Sequence, residues 1–426
     1  MKSVAIVGTG IAGMACAHRL HPYVDLTLFE SEPRPGGHTH TVEVSEGNRS
    51  VPVDTGFMVY NEVTYPLMTQ LFSELGVETM ATDMSFGVQY VPDGIEFCGS
   101  GLKRIFSQRR NLLNPRFLGM LTDILRFNKQ AHAALADPEI LDLTLEGFVH
   151  REGFGQAFLN YYLVPMTSAI WSTPPDEMLR FPAHTLIRFM YNHGLLGVRS
   201  QHQWRTVRGG SRQYRDKLIA PFRDRILCDR PATSVLQHEK GVTVRDATGA
   251  SRVFDEVVIA THADTAHGLL ENPDEDQDRL LSRFPYAANT ITLHSDASIM
   301  PTRKLAWASW NYRIDPVGEN LTQASTHYWM NRLQGVSDQR DYFVSVNEPG
   351  LVDRSKVHRE FTFDHPMFDK SAAEAQKELP RLNENRKLFF CGSYFRYGFH
   401  EDGILSGYSA AERLLTQTAA DEKLAI

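Results

Sequence analysis

A chain of 426 residues with 42% hydrophobic and 22% charged side chains has the apolar content for a large core and no disorder-level charge excess, and its length argues for two lobes. A formal net charge of −7 favours solubility and offers no basic surface to DNA or RNA, so nucleic-acid binding is set aside. Cys16, Cys98, Cys228 and Cys391 are scattered, without CxxC spacing or a Cys/His cluster, which argues against zinc and a disulfide framework and for reduced thiols in a cytoplasmic protein.

The apolar run Ser3-Val4-Ala5-Ile6-Val7 predicts a strand with no long apolar leader before it, and nowhere do about 18 apolar residues follow one another, so neither a cleaved signal nor a membrane span is expected. Helical spacing of Ile11, Met14, Ala15 and Ala17 predicts a helix to Leu20. Leu26-Thr27-Leu28-Phe29 predicts a second strand ending at Glu30, which completes a βαβ unit. Residues 112–135 and 143–171, rich in Leu, Phe and Met at helical intervals, predict a helical insertion broken by Pro115 and Pro165. Strand composition returns at 241–245 and 256–260, and β-formers at 289–293, 306–312 and 342–346 predict a second sheet carrying the substrate face. A strand at 388–391 and a helix over about 406–416 close the chain.

Gly8-Thr9-Gly10-Ile11-Ala12-Gly13 supplies G-x-G-x-x-G between the first strand and helix, where glycines allow a tight turn, close backbone approach to a pyrophosphate, and close helix packing. The phosphates are expected at the positive helix N-terminus, around Gly10, Ile11 and Ala12. Glu30, followed by Ser31, stands where a carboxylate can accept hydrogen bonds from the adenosine ribose and repel an extra 2′-phosphate; a surface glutamate closing a strand is the alternative.

Beyond Glu30, Arg34-Pro35-Gly36-Gly37-His38 resembles the R-x-G-G stretch of FAD-dependent amine oxidases, Val53-Asp54-Thr55-Gly56-Phe57 resembles the D-x-G segment of that superfamily, and residues 206–210 resemble its later glycine-rich stretch. Val257-Val258-Ile259-Ala260-Thr261 is similar to the strand that ends beside the adenine, and Phe389-Phe390-Cys391-Gly392 with residues 400–407 resembles the C-terminal flavin motif. The resemblance implies an α/β protein: a Rossmann-type FAD-binding domain assembled from 1–60, 205–285 and 385–426, with an inserted mixed-sheet and helical substrate domain at 61–204 and 286–384. It implies non-covalent FAD held by Arg34, Gly36, Gly37 and His38, by Thr55, Gly56 and Phe57, by Val235 and Ala260 at the adenine, and by Gly392, Ser393, Asp402, Gly403 and Ile404 at the flavin. A helix N-terminus near Gly403 to Ser406 would set positive dipole against the flavin N1/C2 edge. Ser393 departs from the family pattern, in which an acid commonly follows the glycine and binds the ribityl chain. His38 and His40 are the side chains to check for covalent attachment.

Position in the C-terminal motif makes Tyr397 the candidate ring facing the flavin and His400 or Glu401 the candidate proton acceptor; core packing and solvation are the alternatives. Lys304 is a candidate for the lysine that amine oxidases hold near flavin N5, or a solvated lysine. Residues 307–312 and 396–403 resemble a bacterial subgroup associated with cyclopropane-fatty-acid-synthase-like methyltransferases, which implies a fatty acyl substrate that is desaturated or isomerised. Lys103, Arg104, Arg109, Arg110 and Arg116 before the apolar stretch 117–121 suit either a solvated face or a peripheral contact with the inner membrane face. Amine oxidation and a non-catalytic flavin- or lipid-binding role are the competing expectations.

Overall fold

Val4, Ala5, Ile6 and Val7 are apolar in succession because their strand is covered on both faces. In the computed structural model, which describes residues 1–171, 174–197, 201–317, 321–384 and 386–424, Ser3–Val7 is the middle strand of a five-stranded parallel sheet. The order is Ile226–Leu227, Asp25–Phe29, Ser3–Val7, Glu256–Ile259, Leu388–Phe390, with Val4 opposite both Leu26 and Glu256. Val4 and Ile6 share a core with helix Ile11–Leu20 and with Ile404 and Ala410 of the final helix His400–Leu424. Ala5 and Val7 pack toward Val235, Val242, Val244 and Phe254, which belong to an antiparallel layer of three strands, Ala232–His238, Gly241–Asp246 and Ser251–Phe254.

The second sheet has seven strands in the order Val357–Pro366, Tyr286–His294, Phe343–Val346, Leu321–Trp329, Trp310–Val317, Phe86–Tyr90, Ile95–Cys98. Two strands from residues 86–98 thus complete a sheet otherwise built from the last third of the chain, through a parallel pairing of Phe86–Tyr90 with Trp310–Val317. The α/β architecture expected from sequence is present, with four local differences. The strand expected over 306–312 starts only at Trp310, because the Asn311 side chain closes a buried turn by accepting from Ala308 N at 2.8 Å and donating to Ala308 O at 2.6 Å. Pro115 does not break its helix but begins it: Pro115–Ala134 starts on Asn114, whose side chain accepts from the Arg116 and Phe117 amides. Pro165 sits inside a helical run, just after a π-turn at Leu159–Leu163 that loosens the backbone where proline lacks an amide hydrogen.

The final helix begins at His400 rather than near Ser406. Glu401 and Asp402 occupy its first turn, where negative charge offsets the dipole. Gly403 and Gly407 are helical because they let this helix touch Ile11–Leu20: a Cβ on Gly403 would come within 2.7 Å of Ile11 Cγ2, and one on Gly407 within 2.3 Å of Ala12 O. The helical insertion is centred on Phe127, Phe148, Phe154 and Phe158, whose rings contact one another at centroid distances of 4.9 to 6.2 Å.

Candidate cofactor and substrate site

A continuous cavity of about 1180 Å³ runs from the first strand-helix turn to the face of the seven-stranded sheet. A usual small-molecule site measures ~300–1,000 Å³, so there is room for more than one small ligand. At its nucleotide end the backbone forms a cradle. Gly8 has φ of 99°, and a Cβ there would lie 2.8 Å from Ala260 O; a Cβ on Gly13 would lie 2.1 Å from Gly8 O. Gly10 differs: it lines the cavity, and a Cβ there would meet nothing within 4 Å. Helix Ile11–Leu20 has no side-chain cap and no acid in its first turn, so Gly10, Ile11 and Ala12 present an uncapped positive end to the cavity, the arrangement a phosphate requires.

The Arg34–His38 segment lies on this turn. Gly36 N donates to Thr9 O at 3.0 Å, a Cβ on Gly37 would stand 3.2 Å from Gly10 Cα, and Arg34 holds the bend by donating to Gly37 O at 3.2 Å. Glu30 is buried, and its carboxylate accepts from Thr9 N at 3.0 Å, Glu32 N at 2.9 Å and Ser31 Oγ at 3.2 Å while lining the cavity. His38 lines it too, with Nε2 buried and unpartnered among the described residues. Burial, then the charges of His365, His262, His400 and Arg34, holds its pKa well below the usual value, so it is a neutral ring with a free polar atom at the wall. An uncapped helix end, an open glycine and an orphaned histidine nitrogen together fit a dinucleotide cofactor.

Thr55, Gly56 and Phe57 line the next stretch. Gly56 is required because a Cβ would sit 2.1 Å from His38 O, the carbonyl to which Phe57 N donates at 2.8 Å. Asp54 beside it is the tie between distant segments: its buried carboxylate accepts from Ser211 N at 2.9 Å, Ser211 Oγ at 2.8 Å, Gln334 Nε2 at 2.6 Å and Thr41 Oγ1. Asp54→Ala should cost about 3 kcal/mol of stability, since it strands several buried donors, measured by urea unfolding of the apoprotein. A loss under about 1 kcal/mol would mean that the tie is dispensable.

At the C-terminal motif, Gly392, Ser393, Tyr397 and His400 line the cavity, as does Ala260 at the end of the neighbouring strand. His400 stacks on Phe57 at 4.0 Å, and burial lowers its pKa to about 3. A neutral imidazole of that kind is a hydrogen-bonding group and a poor resting base. Seven expected contact residues do not line the cavity. The Glu401 carboxylate accepts from Leu67 N at 2.8 Å and Met68 N at 3.0 Å, capping helix Pro66–Glu74. Asp402 is buried and accepts from Phe399 N at 3.0 Å and Tyr397 N at 3.2 Å, shaping the turn that presents Tyr397; burial raises its pKa to about 6. Gly403 and Ile404 pack on helix Ile11–Leu20 and in the core beneath it. Val235 is buried in the antiparallel layer, where its carbonyl accepts from Glu271 N at 3.1 Å. Gly13 and Gly36 also act through close contacts: a Cβ would meet Gly8 O at 2.1 Å at the first and Arg215 Cδ at 2.8 Å at the second. Lys304 is outside the cavity, with its amine 3.8 Å from Asp341 and over the Trp307 ring at 4.7 Å.

The far half of the cavity was not legible from motifs. Tyr65, Met84, Phe86, Met166, Phe189 and Trp204 come from strands, helices and the loops between them, spread over 140 residues of chain. Phe361, Phe363 and His365 line it from the edge strand Val357–Pro366, and their alternation was the one local signal available. Among lining residues from Phe57 to Trp204, none is Asp, Glu, Lys or Arg, and no lysine lines the cavity anywhere among the described residues.

A family model described as flavin containing amine oxidoreductase matches residues 11–322. A curated protein from Mycobacterium tuberculosis named as a flavin-containing monoamine oxidase, AofH, is 26% identical over 263 residues, covering 58% of this chain and 54% of that protein. The chain therefore spans about half the length of the curated relative it matches. Cyclohexylamine oxidase from Brevibacterium oxydans IH-35A superposes with a TM-score of 0.71 at 18% identity, over 98% of this chain and 99% of that one. A CLA-producing fatty acid isomerase from P. acnes superposes with a TM-score of 0.66 at 14% identity, over 98% of each chain. At these identities the structural likenesses concern the fold.

Proposed function

The chain belongs to the flavin-containing amine oxidoreductase family, and from that premise we propose that it is an FAD-dependent oxidoreductase acting on an unsaturated or methyl-branched fatty acyl chain. The observation that carries the substrate class is the stretch of wall contributed by residues 57–204, Met84, Phe86, Met166, Ile170 and Trp204 among them, which holds no Asp, Glu, Lys or Arg; the charged lining residues Arg359, Glu360 and Asp364 stand on the edge strand Val357–Pro366. Such a wall desolvates an alkyl chain at a gain of about 0.8 kcal/mol per buried CH₂ and itself carries no carboxylate for an ammonium group.

Bound FAD supplies a two-electron acceptor. The roles proposed for the chain are those of binding and positioning. Gly10, Ile11 and Ala12 hold the phosphates, Glu30 faces the ribose, Arg34 to His38 and Thr55 to Phe57 line the central stretch, and Gly392 and Ser393 close the far side. Tyr397 and the neutral His400 flank the reacting region as candidate catalytic residues, and the aromatic walls exclude water. Desaturation removes a hydride and a proton from neighbouring carbons; isomerisation returns the hydride to a different carbon. With its pKa near 3, His400 accepts that proton only transiently, so it serves better to orient than to store charge.

The finer assignment to a subgroup associated with cyclopropane-fatty-acid-synthase-like methyltransferases rests on residues 307–312 and 396–403 and forms part of this proposal, as does a cytoplasmic location with peripheral contact at the inner membrane face. A second reading, amine oxidation, is favoured by the amine-oxidase relatives and by the aromatic residues Trp204, Trp310 and Tyr328 in the lining.

Anaerobic mixing of flavin-loaded protein with unsaturated and methyl-branched acyl lipids, and in parallel with amines, separates the two. The expected result is bleaching of the flavin absorbance with a new double bond in the lipid, or a shifted double bond without net bleaching. Bleaching by amines alone would overturn the acyl assignment.

A further inference from the structure

Charge is unevenly spread along this chain. Between Leu102 and Lys129 stand seven Lys or Arg residues and one acid, Asp123, in a protein of formal net charge −7. Asp123 is taken up by Arg126 at 3.0 Å and by Gly155 N at 2.9 Å. Arg104 and Arg110 bond backbone carbonyls. Lys103, Arg109, Arg116 and Lys129 are exposed and form no ion pair with any described residue.

Leucines stand among these cations in water. Leu113 is 89% exposed, Leu102 74% and Leu125 60%; Leu112, Leu118 and Leu305 are exposed as well. Leu118 and Leu125 are seven residues apart on helix Pro115–Ala134 and so share its outer face, while Phe117, Met120 and Phe127 are buried beneath. Leu305 is held next to this segment by the Arg104 Nε donation to its carbonyl at 3.3 Å. A leucine exposed singly needs no explanation, but a group of them ringed by unpaired cations is a surface with two kinds of complementarity. Phe117 and Met120 pack in one cluster with Phe86, which lines the cavity, so this surface lies one side-chain layer outside the cavity wall.

We propose that the face formed by residues 102–129 docks on an anionic phospholipid bilayer, with Leu112, Leu113, Leu118 and Leu125 entering the interface and Lys103, Arg109, Arg116 and Lys129 over the headgroups. Cation density alone would suit a nucleic acid or an acidic protein; the exposed leucines favour a partner with an apolar layer beneath its anions. Among the described residues no helix is long and apolar enough to cross a membrane, so the contact is peripheral. Docking deepens the peripheral contact included in the proposed function, and because it does not depend on the acyl substrate, vesicle binding can fail while acyl turnover stands, or the reverse.

The test is co-sedimentation of the flavin-loaded protein with vesicles of equal parts phosphatidylcholine and phosphatidylglycerol at low salt. Binding is expected to these vesicles and to be at least about tenfold weaker to pure phosphatidylcholine. Arg109→Glu with Arg116→Glu should weaken it by about tenfold or more, as should Leu113→Asn with Leu125→Asn, which leaves the charge unchanged. All four sites are solvent-exposed, so both variants should keep the parent's flavin spectrum and urea midpoint, which separates lost docking from lost fold. No sedimentation with anionic vesicles, sedimentation indifferent to both variants, or tighter binding to a single-stranded oligonucleotide than to the vesicles would each overturn the proposal.

Discussion

Gly10→Val is expected to give a folded protein that binds FAD at least about 100-fold more weakly, whereas Gly13→Val should fail to form the lobe at all. Both glycines belong to one motif, but they are glycines for different reasons. At Gly13 a Cβ would overlap the Gly8 carbonyl at 2.1 Å, a clash within the chain itself. Gly10 has an ordinary extended backbone, φ −61° and ψ 176°, and open space where a Cβ would go. Valine is tolerated there by the apoprotein and fills only the room in front of the helix end, which a pyrophosphate would occupy. Equilibrium dialysis against FAD, with circular dichroism and a urea midpoint for each variant, reads both halves. If Gly10→Val binds FAD like the parent, the phosphates are not at this helix end.

Acid should begin to unfold the apoprotein as the pH falls below 6.5, because of histidines buried neutral. The clearest pair lies away from the cavity. Asp296 N donates to His294 Nδ1 at 3.1 Å, so the ring's proton is on Nε2 and is donated to Ser345 Oγ at 2.7 Å. Ser345 then donates to His327 Nδ1 at 2.7 Å, which leaves His327 Nε2 to donate to Ser325 Oγ at 2.9 Å. Each ring is thereby one tautomer, uncharged, and a second proton would break the chain. Burial is the main cause that lowers His294 from 6.5 to about 4 and His327 well below the usual value. A histidine whose folded pKa lies below its unfolded value contributes fully above pH 6.5, and its contribution is lost as the pH falls toward the folded pKa, because only the unfolded chain takes up the proton.

For His294 alone the loss is about 3 kcal/mol. His193 and His365, also lowered to about 4 by burial, act in the same direction. Against a total stability of roughly 5–15 kcal/mol, unfolding should set in between pH 6.5 and 4. Urea midpoints across that window are the measurement, and Ser345→Ala should lower them throughout by stranding both rings. Midpoints flat from pH 6.5 to 4.5 would show that these histidines are not neutral in the fold.

Much of the nucleotide lobe was legible because its constraints are local. A strand, a glycine turn and a helix within the first thirty residues must follow one another at fixed spacing for a backbone to approach a phosphate, so Gly8, Gly10, Gly13 and Glu30 declare themselves from residue type and order. The Arg34–His38 and Thr55–Phe57 segments were readable for a similar reason: each is a backbone crossing where a side chain has no room.

Three things were decided only by tertiary packing. Glu401 is an acid in a motif, but whether it reaches a cavity depends on whether a distant backbone amide claims it first, and Leu67 and Met68 do; Asp402, by contrast, is claimed locally by Tyr397 and Phe399. Gly403 looks like a flavin contact and is a helix-to-helix contact, since only a neighbouring helix reveals what a missing Cβ makes room for. The walls of the far half have no local signature because Phe86, Phe189, Trp204 and Phe361 are ordinary members of helices and strands until two sheets and an insertion bring them to one surface. Sequence by itself determined the βαβ turn with its glycines and the family, because those are short-range requirements of backbone geometry. Folding decided which polar side chains are consumed as caps and which apolar ones face a void, because both depend on partners hundreds of residues away.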